Sequence, residues 1–363
     1  MENKVVKVGV VGLRRGLTIA EGLVGYEYAA ITAVCDRLPE RLENAIKVLG
    51  EKGVTDIQCY ESYEDFLASD VEAVIIATDA PLHTPMAIQA LDAGKHVLSE
   101  IPAIDGIEDI KNLKAATKRH PELIYAAAEN CCYWAFIETW KKMYQNGDFG
   151  QAIYAESEYL HAFPIISPDS KVDSLFRSGW RYDYDAIKYL THNLGPLLYI
   201  LEDRCVSVSC ISPDVKYNPY MNDYQNGIAI FKTEKGAVIK ILIAWGMYVG
   251  HDHNYTLYGT RGSIFTDRIK RFPEAHSFAK LEGIPGTEND PVEIPVKTKF
   301  RGEPDSGHGG ADGKMVKDFV KCIIDGTKTR NNIDAAINMA LPGLIAAESA
   351  RKGGGVMEIP TID

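Results

Sequence analysis

Apolar runs that alternate with helical patterns near the start of the chain constrain its fold more than any other sequence feature. The runs occupy residues 4–11, 29–35, 71–77 and 96–99, and helical patterns occupy residues 17–24, 39–49 and 85–93. Strands that are apolar on both faces and connected through helices are typical of a parallel sheet covered on both sides. We therefore predict an α/β domain with a doubly wound parallel sheet over residues 1–127.

The pattern changes in the second part of the chain, over residues 128–363. Alternating stretches at residues 152–161, 205–211, 227–232, 237–245 and 253–259 are typical of an open, mostly antiparallel sheet. Helical patterns cover residues 129–146, 311–324 and 333–350. Residues 270–305 are rich in proline, glycine and charge, so we expect them to be irregular. The second domain is therefore predicted to be of the α+β class.

Composition and charge argue against several classes of protein. The formal net charge is −11 and no stretch is rich in Lys and Arg, which argues against nucleic-acid binding. No apolar run approaches the ~18 residues of a membrane span, and the first residues lack the features of a signal peptide. We therefore expect a cytoplasmic protein without membrane contact. The seven cysteines include no CxxC pair, so we predict neither a disulfide framework nor a metal site.

The turn between the first strand and the first helix carries a partial dinucleotide-binding pattern. Gly12 and Gly16 allow a tight turn and a close approach to a pyrophosphate, which the start of a helix would favour. Leu13, Arg14 and Arg15 lie between these glycines, and the middle glycine of GxGxxG is missing. The turn predicts the phosphate contact of a Rossmann domain, although alone it is a weak signal.

Asp36 strengthens that prediction because it ends the second apolar run, about two dozen residues after Gly12. An acid at this position accepts the ribose hydroxyls and repels a 2′-phosphate, so NAD is favoured over NADP. Arg37 follows Asp36 directly. Arg37, or Arg14 and Arg15 of the turn, could reduce the preference for NAD over NADP. The alternative is that Asp36 only caps a helix.

Two further segments resemble loops of a known family. Residues 77–83 (ATDAPLH) resemble a T-P-x-x-x-H loop, and residues 93–102 (AGKHVLSEIP) resemble an A-G-K-H-V-x-x-E-K-P stretch, both of the Gfo/Idh/MocA oxidoreductases. The resemblance extends through the second domain and implies that this domain binds the substrate and forms the oligomer contact. The loops that flank the nicotinamide in this family correspond here to Thr78, His83, Glu100 and Pro102.

Ile101 departs from the family, most of whose dehydrogenases have a lysine at this position. That lysine assists proton transfer at the reacting carbinol, and isoleucine has no titratable group. A simple alcohol dehydrogenase mechanism therefore needs another residue here. Lys188 is one candidate for the missing charge.

The retaining, NAD-dependent α-N-acetylgalactosaminidases of this family also lack the lysine, and they resemble the chain in other segments. These are residues 100–103 (EIPA), 129–133 (ENCCY), 159–161 (YLH), 180–181 (WR), 189–196 (YLTHNLGP) and 308–312 (HGGAD). Lys188 and Asn193 depart from the subgroup's pattern, and the glycine turn is shorter. The resemblance therefore leaves the substrate open.

The subgroup's chemistry implies roles for these residues. Such enzymes oxidise the C3 hydroxyl of a sugar, remove the acidified C2 proton, eliminate the group at C1, add water and reduce C3 again. By this resemblance His192, with Tyr189 beside it, serves the C3 hydroxyl, and Tyr159 serves the C2 proton. The resemblance also implies sugar contacts for His161, Arg181, Tyr133 and His308, and a cofactor contact for Asn130.

Structural alternatives stay open for several of these side chains. His192 could be a core histidine, and Tyr159 and His161 could simply alternate across a strand. His251 and His253 would share a strand face, but nothing specifies the third ligand that a metal would need.

Three functions follow from the sequence. The first is an NAD-dependent oxidoreductase that acts on a sugar or glycoside through C3, with cleavage and no net redox change. The second is an ordinary NAD(P) sugar or polyol dehydrogenase, and the third is a non-catalytic NAD-binding sensor. A small carbohydrate substrate and a homodimer or homotetramer are expected, since related enzymes cover the open sheet face with a partner.

Overall fold

The computed structural model describes residues 4–167, 169–170, 179–268, 276–295 and 307–362. Contacts divide the chain into two units, one of residues 1–133 and 301–337 and the other of residues 134–300 and 338–363. The helices are α1 (Arg15–Glu21), α2 (Pro39–Glu51), α3 (Tyr63–Leu67), α4 (His83–Asp92), α5 (Ile107–Arg119), α6 (Ala135–Gln145), α7 (Gly179–Asp183), α8 (Thr191–Leu201), α9 (Ala311–Asp325) and α10 (Ile333–Arg351).

The strands form two sheets, one in each unit. The first sheet contains β1 (Val6–Val11), β2 (Ala29–Cys35), β3 (Gln58–Tyr60), β4 (Ala73–Ile76), β5 (His96–Ser99) and β6 (Tyr125–Ala127). The second contains β7 (Ala152–Leu160), β8 (Cys205–Ile211), β9 (Asn226–Thr233), β10 (Val238–Ala244), β11 (Asp252–Gly259), β12 (Gly262–Thr266), β13 (Ser277–Leu281), β14 (Val292–Ile294) and β15 (Met357–Glu358).

The first sheet has the order β3-β2-β1-β4-β5-β6, and every neighbouring pair is parallel. Every residue of β4 and all of β1 except Lys7 are buried, as the apolar sequences of these strands predict. The order reverses between β1 and β4, which is the position where doubly wound domains bind a ligand. The predicted fold class of this part is confirmed.

The second sheet has the order β14-β13-β12-β11-β7-β10-β9-β8-β15. Only the β7–β10 pair is parallel among its described ladders, so the sheet is mostly antiparallel, as predicted. Helix α8 packs on β7, and Trp140 of α6 donates a hydrogen bond to Ser277 of β13 at 3.0 Å. Helices α6 and α8 therefore lie on one face of the sheet, which we call the inner face.

Two local predictions were wrong. Residues 270–305 were expected to be irregular, but β13 and β14 lie within the described part of this segment. Residues 129–146 were expected to form one helix, but a 3-10 turn (Asn130–Tyr133) precedes α6. The extended backbone of Trp134, with ψ of 139°, separates the two.

The contact units also differ from the predicted division at residue 127. Residues 307–337 lie in the first unit, where α9 packs against α1 and β1. The close approach of α1 to α9 requires glycine, because a Cβ on Gly22 would lie 2.7 Å from the Cα of Gly313. Within the described residues, no helix is both long enough and apolar enough to span a membrane.

Candidate active site

The turn after β1 brings its backbone close to the end of β4. Gly12 has a φ of 84°, in the region where a side chain is strained. A Cβ on Gly12 would lie 2.4 Å from the carbonyl oxygen of Ala77, so the approach requires glycine. The turn therefore presents bare backbone at the carboxyl edge of the sheet, which fits a dinucleotide.

The Asp36 carboxylate faces this turn from the end of β2. Its oxygens accept hydrogen bonds from the backbone N–H groups of Leu13, at 2.9 Å, and Leu38, at 3.1 Å. A carboxylate accepts at about four positions, so capacity for ribose hydroxyls remains. Arg14 is half-buried and Arg37 is exposed. The cofactor contacts of these residues stay predictions.

Arg15 begins α1 and is held by two carboxylates. Its Nε donates to Glu100 Oε1 at 2.6 Å, and its Nη1 and Nη2 donate to the two oxygens of Asp312 at 2.6 and 2.7 Å. Burial lowers the pKa of Arg15, but the attraction of Glu100 and Asp312 outweighs it and raises the pKa above its ordinary value. Arg15 is therefore a fixed cation, which the turn sequence alone did not indicate.

Asp312 lies fully buried near the start of α9 and accepts two further bonds. Asn130 Nδ2 donates to Oδ1 at 2.8 Å, and His308 Nδ1 lies 3.0 Å from Oδ2. Burial raises the pKa of Asp312, but its bonds to Arg15 and His308 outweigh it and hold the pKa well below its ordinary value. The carboxylate is therefore ionised.

This network, which we call the Arg15 network, joins four sequence segments. Arg15 comes from the glycine turn, Glu100 from the loop after β5, Asn130 from the 3-10 turn, and His308 and Asp312 from the segment that leads into α9. Sequence reasoning assigned Asn130 and Arg15 to the cofactor and His308 to the sugar. In the structure each of these side chains also contacts Asp312, and these contacts link segments of the first unit. Sequence reasoning had not singled out Asp312.

The loop after β5 carries Ile101, which is buried and donates its backbone N–H to the Glu100 carboxylate. His83 lies beside this loop, with Nδ1 2.9 Å from the carbonyl oxygen of Pro102 and Nε2 3.0 Å from that of Thr78. Burial lowers the pKa of His83. The buried ring therefore ties the loop after β4 to the loop after β5.

Tyr133 was predicted to contact the sugar, but the structure gives it a packing role in the first unit. The side chain is 2% exposed, and its hydroxyl donates to Asp318 of α9 at 2.8 Å. The Arg330 guanidinium lies 4.1 Å from the ring centroid. The sugar contact of Tyr133 stays a prediction.

A cluster of aromatic and imidazole rings lies in the second unit, at the end of β7. The ring of Tyr159 lies between 4.7 and 5.7 Å, centroid to centroid, from those of His161, Tyr189, His192 and His253. Register explains part of this, because His253 of β11 is paired directly with Tyr159 of β7. The structure therefore brings together the three residues predicted to be catalytic.

His192 enters the cluster from the first turn of α8. Its backbone carbonyl accepts a short hydrogen bond from the Tyr255 hydroxyl of β11, and its ring centroid lies 5.2 Å from that of Tyr189. Tyr189 ends the 3-10 turn Ala186–Tyr189, and its ring packs against Trp245. These contacts hold the first turn of α8 in place, so the His192 ring stays beside Tyr159.

His161 follows β7 and has a depressed pKa. Burial first, and then His251, His192 and Arg181, lower the pKa of this ring to about 4. His251 lies nearest, with ring centroids 4.4 Å apart. Arg181 is half-buried, its guanidinium 4.2 Å from the ring centroid of Trp180. His161 is therefore a neutral imidazole at neutral pH.

His251 and His253 belong to the cluster, although sequence reasoning considered them only as metal ligands. They have ring centroids 5.6 Å apart, and both contact Tyr159. Their alternation across Asp252 was the available signal, because it places both on the face that Tyr159 occupies. The pairing of β11 with β7 was not predictable from the sequence.

Two family models match the chain. The model described as "Oxidoreductase family, NAD-binding Rossmann fold" matches residues 6–127, and the "GFO/IDH/MocA C-terminal domain" model matches residues 137–265. A relative from Bacteroides fragilis, named Glycosyl hydrolase family 109 protein 1, is 32% identical over 89% of this chain and 77% of its own length. The chain belongs to the Gfo/Idh/MocA oxidoreductase family.

Other proteins are also similar to this chain. A Phocaeicola vulgatus relative, also named Glycosyl hydrolase family 109 protein 1, is 28% identical over 88% of this chain and 76% of its own length. Levoglucosan dehydrogenase in complex with NADH has the same fold, with a TM-score of 0.83 and 19% identity over 99% of this chain and 100% of its own. Myo-inositol 2-dehydrogenase from Lactobacillus plantarum gives a TM-score of 0.77 and 19% identity, over 98% and 100%.

These matches confirm the recognition made from the loop sequences. This Gfo/Idh/MocA protein is an oxidoreductase with an NAD-binding Rossmann domain. The resemblance to the glycosidase subgroup agrees with the names of the curated relatives.

Proposed function

We propose that the protein acts on a sugar or glycoside, binding NAD with its first unit and the sugar with the inner face of its second unit. The proposal rests on one observation: the ring of Tyr159 contacts those of Tyr189, His192 and His253. Two phenols and two imidazoles in contact form a proton-transfer set, which a protein that only senses NAD does not need. The expected cofactor contacts of Gly12 and Asp36 fit NAD because they offer bare backbone and a ribose acceptor.

The residues of the second unit would then divide the proton transfers. When bound, NAD⁺ supplies a reversible acceptor for the hydride of the sugar's C3 carbon. His192 takes the proton of the C3 hydroxyl as the carbinol becomes a ketone, because an imidazole accepts protons near neutral pH. Tyr159, ionised to a phenolate, takes the C2 proton, which the neighbouring ketone has acidified. Tyr189 packs against both rings and keeps them in place.

Cleavage of the bond at C1, with no net oxidation or reduction, would complete the reaction. Loss of the C2 proton leaves an electron pair that forms the C1–C2 double bond as the group at C1 departs with its own bonding pair. The hydroxyl of a water molecule then bonds to C1, the other proton of that water goes to the departed leaving group, and a proton returns to C2 from Tyr159. His192 returns its proton to the C3 oxygen as C3 is reduced, so both residues end in their starting state.

The proposal is tested by incubating the protein with NAD⁺ and a panel of aryl glycosides and free sugars. Released aryl alcohol and NADH absorbance are followed together. Aryl release without accumulation of NADH supports cleavage, and the sugar that responds gives the specificity. Stoichiometric NADH without cleavage supports an ordinary sugar or polyol dehydrogenase, for which His192 alone suffices. Silence in both assays, with NAD bound, contradicts the proposal.

We also propose that two or four copies associate through the outer face of the second sheet. Ile211, Ile228 and Ile230 on β8 and β9 are 60%, 39% and 53% exposed. Register pairs Ile211 with Ile228, so these side chains are contiguous across the two strands. Isoleucines that cluster on an exposed sheet face are typical of a surface that a partner covers.

A further inference from the structure

A proline inside α8 leaves a carbonyl of the first turn available to the sheet. Pro196 lies four residues after His192 and has no N–H to donate to the His192 carbonyl. The Tyr255 hydroxyl of β11 donates to that oxygen instead. Helix α8 is therefore bonded to the sheet through the backbone of the residue that we propose takes the C3 hydroxyl proton.

The next residue, Asn193, gives α8 a second bond to the sheet. Asn193 is one of the residues at which the chain departs from the subgroup's pattern. Its Nδ2 donates to Ser157 Oγ of β7 at 2.5 Å, and both side chains are buried. Ser157 shares the inner face with Tyr159, because the two lie two positions apart on β7. Register pairs Ser157 with Tyr255, so the two bonds from α8 end on paired residues of neighbouring strands.

The ring cluster occupies the next inner-face position of the same two strands. Register pairs Tyr159 with His253, each two positions from Ser157 or Tyr255 on its own strand. Two positions along a strand cover about 6.6 Å. The His192 ring lies 5.5 Å from the ring of Tyr159 and 5.9 Å from that of His253, centroid to centroid. The bonds that hold α8 therefore lie close to the rings whose spacing they affect.

Two bonds restrain the helix more than one does. A bond at the His192 carbonyl alone allows α8 to rotate about that point. The bond from the Asn193 side chain to Ser157 opposes this rotation, because it joins the neighbouring helix residue to the neighbouring strand. Rotation of the helix would carry the His192 ring away from Tyr159. The bond from Asn193 therefore bears directly on the spacing of these two rings.

Asparagine at position 193 costs stability as well as making this bond. Its Oδ1 is buried, and no donor for it is found among the residues that the structure describes. A buried carbonyl oxygen without a donor lowers the stability of the folded protein. Leucine has a similar branched shape and would avoid this cost, but it cannot donate to Ser157. The advantage of asparagine here is therefore the bond from Nδ2.

We propose that Asn193 is a positioning residue, which through Ser157 fixes the rotation of α8 and keeps the His192 ring beside Tyr159. Its effect on the reaction rests on the proposed function, because that function makes His192 the acceptor of the C3 hydroxyl proton. Proton transfer requires heavy atoms within about 2.6–3.2 Å of each other. A small rotation of α8 therefore lowers the rate of turnover more than it weakens binding.

The test removes both partners of the bond together. The double variant Asn193→Leu, Ser157→Ala leaves neither a donor nor an acceptor unpaired, so it should unfold at the same urea concentration as the wild type or a higher one. With the p-nitrophenyl glycosides of the panel we expect kcat to fall about tenfold and KM to stay within about twofold. Unchanged kcat, or a fall in kcat that accompanies a loss of stability, overturns the proposal.

The position of the ring is followed without any substrate. In the full-length protein with isotope-labelled histidine, the NMR signal of the His192 ring is the one missing from His192→Ala. It should shift in the double variant, because the rings of Tyr159 and Tyr189 that contact it change its magnetic environment. An unchanged His192 signal overturns the inference, even where the proposed function holds.

Ser349→Ala provides the matched control. Ser349 is buried in the same unit, where its Oγ accepts the Cys210 N–H at 3.0 Å and donates to the Gly355 carbonyl at 2.7 Å. This variant should lower stability and leave the His192 signal and kcat unchanged. An equal shift of the His192 signal in Ser349→Ala would show a general loosening of the unit and would overturn the inference.

The two proposals fail in different ways. A wild type that turns over no glycoside or free sugar of the panel contradicts the proposed function. The NMR comparison of the wild type with the double variant then still decides whether Asn193 fixes the ring: a shifted His192 signal supports that role, and an unchanged one overturns it.

Discussion

At the scale of single residues, the Asp312 carboxylate carries the densest set of polar contacts in the Arg15 network. It accepts two bonds from Arg15 and one from Asn130, and it faces His308. We expect Asp312→Asn to destabilise the protein by roughly 3–5 kcal/mol, because it leaves the Arg15 charge without its main partner. Urea unfolding measures this change in the free energy of unfolding.

The control for this change lies on the same helix. Asp325→Asn breaks an exposed pair with Lys321 and should cost at most about 1 kcal/mol. The Asp312 effect also depends on pH, because its pKa in the folded protein lies below the ordinary value of 3.8. Its stabilising contribution is present above that value and is lost as the pH falls below it. Equal stability of the two variants would contradict the role of the network.

Asp36 provides a prediction about the cofactor. Asp36→Ala removes the proposed acceptor of the ribose hydroxyls and the charge that repels a 2′-phosphate. We expect NAD to bind more weakly and the ratio of NAD to NADP affinity to fall, as measured by quenching of intrinsic fluorescence. If both cofactors bind more weakly and the ratio of their affinities is unchanged, Asp36 only holds the turn in place by accepting the Leu13 backbone N–H.

His161 provides a prediction about pH. Its pKa of about 4 in the folded protein lies below the ordinary 6.5, so between these values the unfolded chain binds a proton that the folded protein does not. Stability should therefore fall as the pH falls through this window, and less so in His161→Gln. Histidine NMR resonances give the midpoint directly, and a midpoint near 6.5 would contradict the burial of this ring.

At the scale of elements, the anchoring of α8 on the second sheet should control the position of His192. Tyr255→Phe removes the hydroxyl that donates to the His192 carbonyl and should cost about 1 kcal/mol of stability. We expect turnover to fall while NAD affinity stays unchanged, and His192→Ala should abolish turnover with the same unchanged affinity. Full activity in His192→Ala would exclude this histidine from proton transfer.

Elements with a continuous apolar pattern were predictable from sequence. Strands β2 and β5 were predicted with their observed bounds, because continuous apolar runs are typical of buried parallel strands. The strands β13 and β14 were missed because they lie among proline, glycine and charged residues. Helix α5 was also missed, since its mostly polar sequence buries only a narrow apolar stripe.

Sequence predicted those residues of the candidate site that belong to short, recognisable motifs. Tyr159, Tyr189 and His192 were chosen from their motifs, and the structure brings them together. The contributions of His251 and Asp312 depend on pairings between distant segments, which one sequence does not specify. The motif that contains Tyr133 likewise did not indicate that its hydroxyl would donate to Asp318 of α9.

At the scale of the whole molecule, the outer face of the second sheet should decide the oligomeric state. Ile230→Lys places a charge among the exposed isoleucines of β8 and β9, where burial against a partner would leave it desolvated. We expect the wild type to be a dimer or tetramer of the 40.1 kDa chain, and this variant to shift towards the monomer. Light scattering coupled to gel filtration measures both.

A second exposed isoleucine separates this effect from a general one. Ile284 is 49% exposed and lies between β13 and β14, away from β8 and β9. Ile284→Lys adds the same charge and should leave the oligomer intact. A monomeric wild type, or dissociation by both variants alike, would show that the isoleucines of β8 and β9 do not form the contact between copies.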